Sequence, residues 1–301
     1  MTPQWIPIDE KIEDLKKRGL IIEDEDKCPS FFSKVTYERF TQYLNFWLTD
    51  TNNFIPGSRF APVRDLFYAE SDLSLDCWDA LLDIELLLQA RFTEAYGNRY
   101  ETSEALLRRR GLSFLGGKGK RRIDPAERIR NDLNKSTNRL IKQNAHAGYH
   151  DLPLGTLLSS ISFGTLSILL VASQGEGGVT EDIRSSLKIG RNVFTSQVRS
   201  FVHLRNRIAH GNFLWGHRVT ERPQLTHNQA RKRQQELEYH DSSVYKVLGA
   251  IDHFTTNANL RKQWLDNTIG PTLEEHPLLE QGILWSETLR EKIRLRPDGF
   301  E

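Results

Sequence analysis

Cysteine is nearly missing from this chain: its 301 residues include Cys28 and Cys77 alone, with no CxxC pair and no Cys/His ligand spacing. That composition excludes a disulfide framework and a structural zinc module, and it predicts two free thiols. Charge of one sign is lacking too. Lys and Arg number 41 against 40 Asp and Glu, so the global balance offers nothing to a polyanion and only local clustering can. The start, MTPQWIPIDEKIEDL, has no basic segment followed by an apolar run, which predicts no secretory signal and a cytoplasmic protein. Sustained strand-type alternation is absent as well. The run LPLGTLLSSISFGTLSILLVA, residues 152–172, is uncharged and about long enough to span a bilayer. Its serines, threonines, glycines and Pro153 dilute it, and it lacks aromatic or strongly basic flanks, so it reads as a buried core helix.

What remains is helical periodicity and enough apolar residues, 38%, to bury a real core. The class is all-α: a helical bundle core with an N-terminal helical extension and additional C-terminal helices. The boundaries are 1–62 for an N-terminal helical region, 63–256 for the core and 257–301 for a C-terminal helical tail. Short helices are expected within 9–48, then a loop marked by Pro56, Gly57 and Pro62, and an apolar-rich helix over 73–96. SEALLRRR follows, capped by Ser103 and stopped by Gly111. A Gly- and Lys/Arg-rich loop then leads to Asp124 and Pro125, which open a helix to about Gln143. The remaining expectations are the helix over 154–172, a short helix from Thr180 to Lys188, and a helix from Arg191 to His210 stopped by Gly211-Asn212.

That last helix carries FVHLRNRIAHGNFLW, residues 201–215, with polar groups where apolar ones would pack more cheaply. An arginine five to seven positions before a histidine proves little. Arg139/His146, Arg222/His227 and Arg233/His240 match the spacing as well as Arg205/His210, against about 2.4 matches expected by chance. The burial pattern separates them. Phe194, Val198, Phe201 and Ile208 form an apolar stripe, and Arg205 falls in its gap, so its guanidinium is expected to point inward. An inward charge needs an acceptor. On the helix over 73–96, Glu85 interrupts the expected inward stripe of Trp78, Leu81, Leu82, Leu88 and Phe92, which predicts a Glu85–Arg205 pair across a dry interface. His210 lies one turn from Asn206, near the helix C terminus, where the macrodipole favours a cationic side chain. On spacing alone, a structural ion pair with polar residues satisfying the last carbonyls is favoured over a catalytic constellation.

LRNRIAHGNFLW resembles the signature of the HEPN superfamily, and more narrowly of the Abi (abortive infection, AbiD/AbiF-like) proteins: Leu-Arg-Asn, three residues, His, then a short link to an aromatic. LPLGTLLSSISFGTLSILL resembles that family's Leu-Pro and Ser-Phe-Gly-x-Leu-Ser block, and LKKRGLIIEDED…YERFTQYLNFW its N-terminal portion. Two departures stand out: Gly155 where the family often has Trp, and Gly211 where a second His or Arg often follows the motif histidine. The resemblance implies an antiphage protein that interacts with RNA and, in catalytic members, cleaves it without a metal. His210 would be general acid or base, Arg205 would offer its fork to phosphoryl oxygens, and Asn206 would orient phosphate or histidine. Glu85, assigned from periodicity, would hold Arg205. No cofactor and no metal is expected, and a homodimer or an inactive RNA-bound monomer follows. The alternatives are a non-catalytic module holding a structured non-coding RNA, and a plain helical interaction scaffold.

The local polycation lies between residues 108 and 130: Arg108, Arg109, Arg110, Lys118, Lys120, Arg121, Arg122, Arg128 and Arg130 against Asp124 and Glu127. Such a run suits RNA phosphates, with Phe114 available to stack on an unpaired base. The bland reading is a solvated flexible loop.

Overall fold

The computed structural model describes residues 5–23, 26–116, 122–175, 178–226, 238–286 and 288–296. Among these every regular element is helical, and extended backbone pairs only at isolated bridges such as Leu115 with Ile123. The spine is a 41-residue helix, α4 (Phe60–Tyr100), about 60 Å long at 1.5 Å per residue. It begins well before the expected Leu73. Pro62 falls in its first turn, where a missing backbone N–H leaves no hydrogen bond unmade, so the proline does not mark a loop.

Three short N-terminal helices, α1 (Ile8–Lys17), α2 (Lys27–Phe32) and α3 (Tyr37–Leu44), close over the start of α4. α1 buries Ile12 and Leu15, and it places Asp9 and Glu10 in its first turn and Lys16 and Lys17 in its last, matching the helix dipole at both ends. The junction is aromatic: Phe31 meets Phe40 edge-on at 4.7 Å and Phe67 of α4 at 5.6 Å.

Beyond α4 come α5 (Ser103–Leu107), α6 (Pro125–Lys135) and α7 (Arg139–Asn144). Asp124 caps α6 as expected, accepting from Ala126 N–H at 2.9 Å. The helix expected to reach Gln143 is instead two, because Asn138 caps α7 through Leu140 N–H. The cap of α5 is Thr102 rather than Ser103, whose buried hydroxyl donates to the Leu152 carbonyl at 2.6 Å.

The apolar run 152–172 is also two helices, α8 (Leu154–Ser159) and α9 (Phe163–Ala172). Ser162 forces the break: its N–H and hydroxyl both donate to Asp132, and its Oγ accepts from Thr165 N–H to start α9. No helix among the described residues is long and apolar enough to cross a membrane.

α10 (Val179–Ser186) and α11 (Arg191–Ala209) follow, then α12 (Val244–Asn257), α13 (Gly270–Glu275), α14 (Pro277–Leu284) and α15 (Leu289–Leu295). α8, α9, α10, α11, α12 and α14 all pack on α4, and one continuous core runs from Ile12 to Ile293.

Candidate functional site

α11 turns Phe194, Val198, Phe201 and Leu204 into the core and ends in a Schellman motif. Gly211 N–H donates to the Ile208 carbonyl and Asn212 N–H to the Arg207 carbonyl, each at 2.9 Å. Gly211 takes φ +63°, the left-handed conformation the motif requires and glycine adopts without strain. His210 is thereby fixed as the C-cap, its N–H on the Asn206 carbonyl at 3.0 Å and its side chain exposed.

Five residues earlier, Arg205 reaches α4. Its Nη2 stands 3.5 Å from Glu85 Oε2, its guanidinium carbon 5.3 Å from the centre of the Trp78 ring, and its Nη1 donates to Asn206 Oδ1 at 3.3 Å. Glu85 is buried, with a side chain 10% exposed, whereas that of Arg205 is 29% exposed. The interface is therefore half-wet, a correction to the dry pairing that the stripes predict, and the Arg205 side chain is partly open to solvent. Burial raises the Glu85 carboxyl above its ordinary range, against the opposing pull of Arg205. Leu82, expected inward, is exposed; the stripe that packs is Leu73, Cys77, Leu81, Ile84 and Leu88.

Arg205 and His210 are five residues apart, about 140° around the helix, so they do not share one face. Asn206 joins them, its side chain bound to Arg205 and its carbonyl to the His210 backbone. The His210 face instead carries His203 and Arg207, neither singled out from the sequence. His203 and His217 lie Nε2 to Nε2 at 3.4 Å with stacked rings. Burial, Arg207 and His203 push His217 down to about 4, and burial also lowers His203. Arg207 donates from Nη2 to the Phe213 carbonyl at 2.6 Å.

Beneath this cluster sits Glu70 on α4, 3% exposed, accepting the Leu214 backbone N–H. Burial raises its carboxyl to about 7, against donors at Leu214, Tyr43 and Trp215 and the charge of Arg39. The signal that picked out Glu85 applies equally to Glu70, which interrupts Leu66, Phe67, Leu73 and Cys77. The late start expected for α4 hid it.

The basic segment is only partly free. Arg108 pairs with Glu104, Arg109 with Asp124, and Arg130 donates to the Leu107 carbonyl. Arg110 lies over Tyr100. Phe114 is not an open stacking platform: the Arg122 guanidinium carbon lies 3.7 Å from its ring centre and that of Arg109 4.9 Å. The loop's base is pinned by the reciprocal Leu115 and Ile123 backbone bonds rather than loose. Arg122 and Arg128 line a cleft of about 260 Å³ shared with Asp124 and Glu127. Lys118, Lys120 and Arg121 lie outside the described residues. Among the described residues no three His, Cys, Asp or Glu side chains converge as a metal site would require.

Fold and site together define an all-helical protein with an anchored arginine and an exposed histidine at the end of a helix crossing a long central one. The chain belongs to the Abi-like protein family, whose family model matches residues 30–216. That membership links it to abortive infection, an antiphage role. No curated protein and no solved structure matches it.

Proposed function

We infer that this chain is an antiphage protein that acts on RNA as a metal-independent endoribonuclease. A 2′-OH beside the scissile phosphate is an internal nucleophile, so the protein has only to move protons and stabilise the charged phosphorane. The 2′-oxygen bonds phosphorus as its proton leaves, the P–O5′ bond breaks and the 5′-oxygen departs as an alcohol. His210 is general acid or base on one of these oxygens, Arg205 presents the remaining N–H donors of its fork to phosphoryl oxygens, Asn206 orients phosphate or histidine, and Glu85 is a positioning residue for Arg205. The observation that carries the reading is the Arg205 side chain, anchored on Glu85 and Trp78 yet partly exposed, five residues before an exposed His210. The test is incubation of the purified protein with cellular RNA and analysis of the new ends. 2′,3′-Cyclic phosphates made by the wild type and not by His210→Ala support cleavage; intact RNA under all conditions sinks it.

The angle of about 140° between Arg205 and His210 favours a second reading, in which one chain grips a structured non-coding RNA without cutting it. A homodimer that sets two such helices face to face would restore convergence. Uncut, discrete RNA copurifying with the protein would favour the binding reading, and cyclic-phosphate ends the nuclease.

A further inference from the structure

Next to His210 the molecule has a cation that no motif names. Arg39 of α3 is exposed, and its guanidinium lies against the backbone of Gly211: a Cβ built on that glycine would stand 2.6 Å from Arg39 Nη1, with the guanidinium carbon and Nη2 next nearest. Its other side meets the ring of Phe67, 5.8 Å from guanidinium carbon to ring centre. Phe67 in turn holds Tyr68 edge-on at 5.8 Å, and Phe31 holds the same tyrosine at 5.9 Å and 88°. Tyr68 is thus fixed by two aromatic neighbours while remaining 45% exposed. It borders a cleft of about 360 Å³ between α2 and α4 whose charged lining is three cations, Lys27, Lys34 and Arg64, against one acid, Asp65. Arg64 engages its neighbour Asp65, but among the described residues no carboxylate comes within ion-pair distance of Lys34 or Arg39.

We propose that Arg39, Lys34, Arg64 and Tyr68 form a binding track for single-stranded RNA that leads to His210. The proposal rests on the RNA reading of the motif helix. The cations meet successive phosphates and Tyr68 takes a base on its ring, the pairing of charge and aromatic face by which single strands are held without sequence preference. A duplex offers phosphates but no unstacked base for Tyr68. Arg39 sits at the inner end of the track, where its guanidinium holds the phosphate beside the one His210 serves. The cleft is large enough for one nucleotide-sized group. The track draws on α2, α3 and α4 and not on the basic segment over 108–130, where Arg108, Arg109, Arg110, Arg122 and Arg130 are engaged within the chain.

The experiment is fluorescence anisotropy of the full chain with a 2′-O-methyl oligouridine, which binds but has no free 2′-OH to attack. Tyr68→Ala should weaken binding about five- to hundredfold, and Tyr68→Trp should restore it. Arg39→Gln and Lys34→Gln should each lower the slope of log affinity against log salt by about 0.7. Ultraviolet crosslinking of the same oligonucleotide to the wild type should label the peptide containing Tyr68, which reads the site without any variant. If the wild type binds while these variants keep its affinity and slope and the crosslink maps elsewhere, the track is wrong and the RNA reading stands. If the wild type binds neither this oligonucleotide nor cellular RNA, both fall.

Discussion

Glu85 and Arg205 meet across α4 and α11 at 3.5 Å, and the environment treats them unequally: the carboxylate is buried and the guanidinium is partly in water. Removing the acid therefore leaves a cation that solvent can still reach. Glu85→Ala is expected to destabilise by about 1–3 kcal/mol, between the near-zero value of a surface pair and the roughly 3–5 kcal/mol of a dry one. A double-mutant cycle with Arg205→Met on denaturant midpoints measures the coupling, and a value of zero contradicts the pairing.

The pH dependence of that pair has a definite sign. The folded carboxyl of Glu85 is raised by burial, so its contribution to stability is fully present below the ordinary carboxylate range and is lost as pH rises through the raised value. Glu70 behaves the same way with a wider window, from about 4.5 in the unfolded chain to about 7 in the folded one. Glu70→Gln keeps an oxygen for Leu214 N–H and removes the titration. It is expected to flatten stability between those values and to make the variant more stable than wild type above pH 7, read from melting temperatures across pH. A wild-type profile in the variant contradicts the assignment.

For the nuclease reading, Arg205→Ala and His210→Ala are each expected to abolish RNA cleavage and phage protection, since proton transfer and charge stabilisation act as a unit. His210→Ala should leave melting unchanged, because the side chain is exposed at a helix end. Cleavage should survive EDTA, as 2′-OH attack needs no metal-activated water. Loss on chelation with rescue by a divalent ion would overturn the mechanism.

Packing at the far end of the motif gives a separate check. Trp215 is fully buried, stacked on Trp47 at 5.6 Å and 7°, and a Cβ on Gly282 would overlap its indole. Gly282→Ala is expected to cost about 1–3 kcal/mol, a drop of several degrees in melting temperature. An unchanged melting temperature would show that the indole has room to move.

How far the sequence leads depends on whether local chemistry or distant contact decides a feature. α11 is legible end to end because periodicity, Gly190 and the Gly211-Asn212 stop all act within a few residues. Glu85 facing Arg205 is legible because each interrupts an apolar stripe. The break at Ser162 is not, since it is made by Asp132, thirty residues away, within a run too uniformly apolar to show a period. Pro62 hides the start of α4, and with it Glu70. The pairing of His203 with His217 leaves no trace in spacing at all, because a loop after the helix returns the second ring to the first.

Trp215 also shows where similarity and cooperativity part company. The family match stops at Gly216, yet the Trp215 indole N–H donates to the Leu278 carbonyl at 2.7 Å, and Gly216 N–H to the Gly282 carbonyl. The segment shared with relatives is therefore clamped by residues lying beyond it, and on the other side by Trp47. Cutting the chain at the edge of the match would strip the motif loop of one wall and leave a large indole facing water. The span of the family match is thus shorter than the unit expected to melt, and heating should unfold the tail and the motif helix in one transition.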